Sequence, residues 1–447
     1  MGFFSSDTGR AMRVVMKFGG SCLSSNEDIN RTVRIVREHG KPVVVLSALK
    51  GVTDELIAQE KSALAGSFDL EKIEEVHRRA LSGLKPETQV KVNNTIHAKI
   101  EELRKLYTAI SYLGEVTPPQ HDRIVSFGER AVIEIAAAYF NEAGLPAVPL
   151  WGAEAGIVTD ERFGDATILD ESIQLVRQKL PHDKIPVVAG FVGVTKEGQI
   201  TTLGRGGSDY TATFIAAALG SECILWKDVD GLMTADPKMV PEAKVVKRMN
   251  YLDAMEIAHY GSKVIQEKSI MPAMIHKVPI RIRNVNEKGE GTLISQEVGD
   301  SIVVSTVKNV AIIDLLGYTG MLDVLSCILQ ELSREGIYPL LITESSACGE
   351  VSIVVEEGKA SKIEKAAKAL MIGKKMTVDR GLGMVSIIGS IMRGKVGTAA
   401  AVFDCLADEK INIIAISQSA SERSISVVIE GDKVQKAAQA LHRKFVK

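Results

Sequence analysis

The spacing of apolar residues changes period several times along the chain. Arg13–Phe18 (RVVMKF) and Pro42–Leu46 (PVVVL) are short β-branched runs that read as buried strands. Between them Ile29, Val33 and Val36 keep helical spacing, predicting a helix over Ile29–Glu38. Strand, helix and strand in such close succession make a βαβ unit, hence a parallel sheet. Residues 55–115 differ: they are charged, helical in propensity and poor in strand signal. They read as a helical insertion, open to being a mobile flank, with charge runs on solvated faces. Strand signals resume at Ile124–Phe127, before a helix over Ala131–Ala143, and continue at Ala147–Leu150, Ile185–Ala189 and Ile224–Trp226. Residues 193–204 (GVTKEGQITTLG) read as a hairpin turning on Glu197-Gly198. The alternation predicts a three-layer α/β domain up to about residue 295.

From Ile302 the texture changes, and part of it occurs twice. Residues 321–355 (MLDVLSCILQELSREGIYPLLITESSACGEVSIVV) and 397–429 (GTAAAVFDCLADEKINIIAISQSASERSISVVI) each run helix, turn, strand, Ser-rich loop, strand. Each continues into a further helix, Ile363–Leu370 and Val434–Phe445. This is a duplicated module of about 70 residues. Its apolar strands, Ile425–Ile429 among them, are suited to pairing in a shared sheet, within or between chains.

Four glycine-bearing segments follow strand-like runs: KFGGS (17–21), SFGE (126–129), GFVG (190–193) and TLGRGGSD (202–209). Ligands of open α/β sheets bind beyond the carboxyl ends of the strands, where four such loops can converge. TTLGRGGSDYTAT (201–213) leads straight into an apolar helix, with Ser208 or Asp209 as its expected N-cap. A glycine turn feeding a helix N-terminus suits an anion. Lys17 ends a strand beside Gly19-Gly20, which suits a phosphoryl group or, taken alone, a snorkelling surface lysine. Glu129 and Arg205 can clamp a zwitterion or simply pair with each other. Asp209 can orient Lys17, assist a metal, or only cap its helix. The turn-rich WKDVDGLMTADPK (226–238) can wrap a base and ribose. No Walker A motif, protein-kinase set or GxGxxG fingerprint is present, and the few histidines are dispersed.

Composition narrows the class without changing it. The 447 residues carry a net charge of −2 and are 45% apolar, which excludes a global basic footprint for nucleic acid. No apolar run approaches a membrane span, so no membrane partner is expected. Five scattered cysteines form no CxxC pair, which argues against a zinc site or disulfide framework and fits a reducing, cytoplasmic setting. The first residues lack the apolar core of a signal peptide, although Gly2 with Ser6 matches a loose N-myristoylation pattern.

In one order, KFGGS, VVVLSALKGVTD (43–54), FGER (127–130), GFVG, TTLGRGGSDYTA, KDVDGLMTADP, YGSKV (260–264) and PIRIRN…GTLI (279–294) resemble the aspartate kinases of the amino-acid-kinase superfamily. The duplication resembles their paired ACT regulatory domains. The resemblance implies a mainly parallel three-layer catalytic domain over 12–298, with 55–115 as the insertion. Two ACT-like α+β (ferredoxin-like) modules follow, over 302–378 and 382–447. It implies transfer of the γ-phosphoryl of Mg-ATP to the β-carboxylate of L-aspartate, with Mg2+ held mainly by the nucleotide phosphates and no protein metal site. By the same resemblance Lys17 and Asp209 are catalytic, and Thr53, Glu129, Arg205, Gly206, Gly207 and Ser208 hold aspartate. Lys17, Gly19, Gly20, Ser21, Lys227, Asp228, Met233, Lys238, Lys263 and Val264 serve ATP. A lysine or threonine effector is expected near Met321, Asp323, Ser326, Ile342 and Ser346, and dimerisation or higher assembly through the ACT modules.

Several positions depart from the family pattern. Ser21-Cys22 replaces Thr-Ser, Lys227 stands for Thr, Met233 for Tyr and Lys238 for Arg, while Gln266-Glu267 replaces His-Pro. The first ACT-like copy reads Met321-Leu322-Asp323 where Pro-Gly is common. Two alternatives stay beside the main reading. One is a kinase for glutamate, acetylglutamate or UMP, against which TLGRGGSD and the duplication argue. The other is a sensor without turnover, against which Lys17, Glu129, Arg205 and Asp209 argue.

Overall fold

The computed structural model describes residues 13–261, 264–287, 289–297, 299, 301–316, 321–345, 350–369 and 375–446. The chain divides into two compact units. One comprises the chain up to Gly231 with Lys268–Gln296; the other comprises Leu232–Glu267 with the chain from Glu297 onward.

The first unit holds a sheet in the order Ala147–Leu150, Ile185–Ala189, Val43–Leu46, Val15–Phe18, Cys223–Lys227, Ile280–Asn284, Thr292–Ser295. All neighbours run parallel except the last pair, which is antiparallel. Val15–Phe18 and Val43–Leu46 are buried at every position, as strands covered on both faces must be. The hairpin expected around Gly198 pairs Val192–Val194 with Ile200–Thr202. The helix Asn26–Arg37 starts at Ser25, whose side chain accepts from the Asp28 amide.

Two expectations are corrected here. Ile124–Phe127 is not a strand. Pro118–Val125 and Phe127–Glu142 are helices, the first launched by a Thr117/Gln120 capping box with Pro at its start. A four-residue stretch such as Ile-Val-Ser-Phe is too short for its period to separate a strand from a buried helix. Nor is the 55–115 segment a mobile flank. Its helices Val52–Leu64, Glu71–Leu81 and Pro86–Leu113 bury Leu56, Ile73, Ile96, Leu103 and Tyr107 in the same core as the sheet. The charges lie on the remaining faces, as amphipathic helices require.

The second unit is built on a sheet ordered Leu341–Ser345, Glu350–Glu356, Val303–Leu316, Lys375–Ile388, Ser424–Glu430, Ala415–Gln418, with every neighbouring pair antiparallel. The two long central strands pair from Val303 opposite Ile388 to Leu316 opposite Lys375. The helices Met321–Arg334 and Glu357–Ala369 cover a core that includes Ile313, Ile353 and Ile363. Thr398–Asp408 and Val434–Phe445 cover a second, around Val385, Val427 and Leu441. The duplication seen in the sequence is thus two copies of one motif sharing a sheet. Among the described residues no helix is long and apolar enough to cross a membrane.

Candidate active site

Parallel strands deliver their carboxyl ends to one edge. There Lys17 sits in register with Val45 on one neighbour and Leu225 on the other. The glycines beyond these ends explain why the loops can meet. A Cβ on Gly20 would lie 2.9 Å from the Ala48 carbonyl oxygen, and one on Gly128 would lie 2.6 Å from the Ala48 Cβ. A Cβ on Gly190 would lie 2.6 Å from that of Ser208. All four glycine-bearing segments therefore reach one place, although SFGE arrives as the start of a helix rather than as a loop after a strand.

The helix Gly207–Leu219 begins differently from expectation. Its N-cap is Gly206, in the left-handed region at φ 76°, and no side chain caps it. Ser208 and Asp209 lie inside the first turn, so their side chains are released from capping. The orphan N–H groups of that turn and the dipole end face the same loop cluster.

Asp209 is 4% exposed. Lys17 Nζ lies 2.5 Å from its Oδ1, and Lys227 Nζ 2.6 Å from its Oδ2. Burial would raise the Asp209 pKa, but the two ammonium groups override it and bring it down to about 2. Lys227 is shifted downward, by burial first and by Lys17 second, against the pull of Asp209. Glu129 behaves oppositely. It is fully enclosed, and burial pushes it up to about 8 despite the Ala48 N–H donating to its Oε1 at 3.1 Å and the field of Lys17. Its Oε2 is buried without a hydrogen-bond partner among the described residues. Two cations, one firm anion and one carboxyl held largely neutral leave surplus positive charge, which a bound anion would balance.

Arg205 is exposed, and among the described residues no side chain pairs with its guanidinium; in particular it does not pair with Glu129. Thr53 lies at the start of the helix Val52–Leu64, which has Gly51 as N-cap. Gly19, Gly20 and Ser21 form the turn after the Lys17 strand. Cys22 is buried, its thiol raised by burial and its Sγ 3.5 Å from the Trp226 carbonyl, which marks a packed, inert thiol. Lys227 points at Asp209, and Asp228 is exposed. Met233, Lys238 and Val264 belong to the second unit, and Lys263 lies outside the described residues. Met321 and Asp323 fall on the helix Met321–Arg334, as does the exposed Ser326. Ile342 is half-buried on Leu341–Ser345, and Ser346 lies outside the described residues.

Sequence reasoning passed over the groups that brace the site. Asp122, fully buried, accepts from Thr202 N at 2.7 Å, Thr202 Oγ1 at 2.8 Å and Gly164 N at 3.0 Å. It ties the helix before SFGE to the strand before TLGRGG. Lys268 and Ser269 bond the carbonyls of Leu203 and Gly206. A signal was present, since these polar residues follow the Gln266-Glu267 departure directly.

The amino acid kinase family model matches residues 12–284, and an ACT domain model matches 385–445. Aspartokinase 1, chloroplastic, of Arabidopsis thaliana is 32% identical over 98% of this chain and 80% of its own length. The aspartokinase of Geobacillus stearothermophilus is 31% identical over 97% of both. Among solved structures, E. coli aspartokinase III in complex with aspartate and ADP is 26% identical, with a TM-score of 0.82 over 97% of this chain and 99% of that one. The same protein in complex with lysine and aspartate gives 0.78 over 98% and 100%.

Proposed function

The chain belongs to the amino acid kinase family and, within it, to the aspartokinases, and we propose on that premise how its residues divide the work. It is an ATP-dependent aspartate kinase, a phosphotransferase that moves the γ-phosphoryl of ATP to the β-carboxylate of L-aspartate and yields 4-phospho-L-aspartate. The observation that carries the assignment of roles is the buried Lys17–Asp209 pair beside Glu129, at the carboxyl edge of the parallel strands.

A carboxylate is already a nucleophile at neutral pH, so the reaction needs charge stabilisation and alignment more than a base. Lys17 faces the transferring phosphoryl, and Asp209 keeps its ammonium in place. Gly19, Gly20 and Ser21, with the N-terminus of the helix Gly207–Leu219, supply backbone donors for phosphate oxygens. Glu129 takes the α-ammonium of aspartate through its unpartnered oxygen, and Arg205 takes a carboxylate; Thr53, Gly206, Gly207 and Ser208 line the same subsite. Mg2+ would arrive on the nucleotide phosphates. Lys227, Asp228, Met233, Lys238, Lys263 and Val264 serve the nucleotide.

The ACT-like unit is the place of feedback by lysine or threonine, at the helix Met321–Arg334 and the strand Leu341–Ser345. The edge strand Ala415–Gln418, with Ile416 45% exposed and Ile414 just before the strand 42% exposed, supports assembly with a second copy. The test is ADP release from Mg-ATP with L-aspartate, L-glutamate, N-acetyl-L-glutamate and UMP in parallel. Turnover confined to aspartate supports the assignment. Turnover with another acceptor, or lysine binding without any turnover, would replace it.

A further inference from the structure

We propose that Lys268 and Ser269 are positioning residues that hold the 203–207 turn in the conformation that presents Arg205 and the following helix N-terminus to the acceptor amino acid. The inference rests on the assignment of the acceptor subsite above.

The helix Glu267–His276 places both residues in its first turn. The Lys268 ammonium has three protons to donate. It lies 2.7 Å from Asp165 Oδ1, 2.9 Å from the Ala166 carbonyl, 3.1 Å from the Leu203 carbonyl and 3.4 Å from the Asp165 carbonyl. It also sits 5.4 Å from the centroid of the Tyr210 ring, on the helix that the turn feeds. Ser269 is fully buried, and its hydroxyl donates to the Gly206 carbonyl at 3.2 Å. Leu203 and Gly206 bracket Arg205. The carbonyl between them, on Gly204, accepts from the Gly207 N–H at 3.0 Å.

The turn needs such bolts. Gly204 and Gly206 both have positive φ, and glycine has the most backbone freedom to lose. A turn of this composition is pliable unless its carbonyls are engaged from outside. Lys268 engages backbone oxygens, one mostly exposed carboxylate and a ring face, with its own side chain 27% exposed. Its removal therefore frees the turn without opening a core cavity. The side chain does not point at the phosphoryl cluster, whose cations are Lys17 and Lys227.

The experiment compares Lys268→Met, Ser269→Ala, Arg205→Ala and the Lys268→Met/Arg205→Ala double variant in the full chain. KM for aspartate, KM for ATP, kcat and the thermal midpoint are measured for each. Lys268→Met is expected to raise KM for aspartate roughly tenfold or more, the scale of one lost charge-assisted contact network. KM for ATP and the midpoint stay near wild type, Lys268→Arg restores part of the loss, and Ser269→Ala gives a smaller rise in the same constant. The double variant falls short of the product of the singles, because both act through one turn. Unchanged KM for aspartate in both Lys268→Met and Ser269→Ala overturns the inference. So does a parallel rise in both KM values with a lowered midpoint, which marks a purely structural role. If Arg205→Ala leaves KM for aspartate unchanged while Lys268→Met raises it, the Arg205 assignment fails. The positioning role then stands through the helix N-terminus.

Discussion

Glu129 and Asp209 are neighbouring buried carboxyl groups sent in opposite directions by what surrounds them. Asp209 has two ammonium partners and stays ionised; Glu129 has one amide donor, an empty-handed oxygen, and a pKa of about 8. An entering α-ammonium pairs only with the ionised form, so aspartate binding expels a proton from Glu129 at neutral pH. The sign follows: the competent carboxylate fraction grows as pH rises towards 8. KM for aspartate should therefore fall between about pH 6 and 8 and level off above, by up to about tenfold per unit on the steep part. Glu129→Gln should lose that limb and bind aspartate poorly at every pH, as initial rates across the range will show. A pH-independent KM in the wild type would remove the ammonium role. Lys17→Met should act on the other parameter, lowering kcat by roughly 10²–10³ with little change in KM for aspartate, in line with losing one electrostatic stabiliser. A near-normal kcat there would contradict the phosphoryl role.

At the scale of elements, local chemistry was legible wherever a short signal met a single solution. The βαβ start, the 193–204 hairpin and the duplicated C-terminal motif were readable from period and turn residues alone. Ile124–Phe127 was not, because the capping box that makes it helical lies seven residues upstream at Thr117. The N-terminus of the helix Gly207–Leu219 was placed two or three residues late, because a glycine cap at positive φ leaves no polar signature. The insertion 55–115 read as helical but left a mobile flank open, because the aromatic and aliphatic residues that bind it to the sheet core are diluted among charges. His77 shows how firmly it is bound. It is buried edge-on against Phe127, with ring centroids 5.3 Å apart, Nδ1 bonded to the Ile73 carbonyl at 2.7 Å and Nε2 without a partner among the described residues. Burial lowers its pKa to about 4. Above about pH 6.5 the ring is neutral folded or unfolded, and it contributes nothing to the pH dependence of stability. Between 6.5 and 4 only the unfolded chain takes the proton, so stability falls by about 1.4 kcal/mol per pH unit. His77→Leu should flatten that acid limb in urea titrations at pH 7 and 5. An unchanged difference between the two pH values would show that other groups carry it.

Across the whole molecule, the division into units does not follow the family match. The amino acid kinase match runs through residue 284, yet Leu232–Glu267 belongs to the second, ACT-bearing unit. Within that unit the segment is fastened by polar bonds as well as by packing. Asp253, 2% exposed, accepts from Arg423 Nη1 at 3.0 Å, Ser390 N at 2.9 Å, Ser390 Oγ at 2.7 Å and Asn250 Nδ2 at 2.7 Å. Thr234 Oγ1 meets His442 Nε2 at 2.9 Å. Met233, Lys238 and Val264, assigned above to the nucleotide, thus ride on the unit assigned to the effector. An effector that orders this unit should act on KM for ATP. The coupling free energy between effector and nucleotide should be about 1–3 kcal/mol and equal in both directions. Calorimetric titration of lysine and of threonine, with and without a non-hydrolysable ATP analogue, measures one direction, and KM for ATP with and without effector follows the other. Asp253→Ala strips the partner from a half-buried arginine and leaves the Ser390 and Asn250 donors without this acceptor, at a cost of about 1–3 kcal/mol to the second unit. The gentler Asp253→Asn keeps the hydrogen bonds to Ser390 while removing the charge. In Asp253→Asn the effector should still bind, but its influence on KM for ATP should shrink. Full coupling in that variant would show that the nucleotide residues answer to the effector by some route other than this buried anchor.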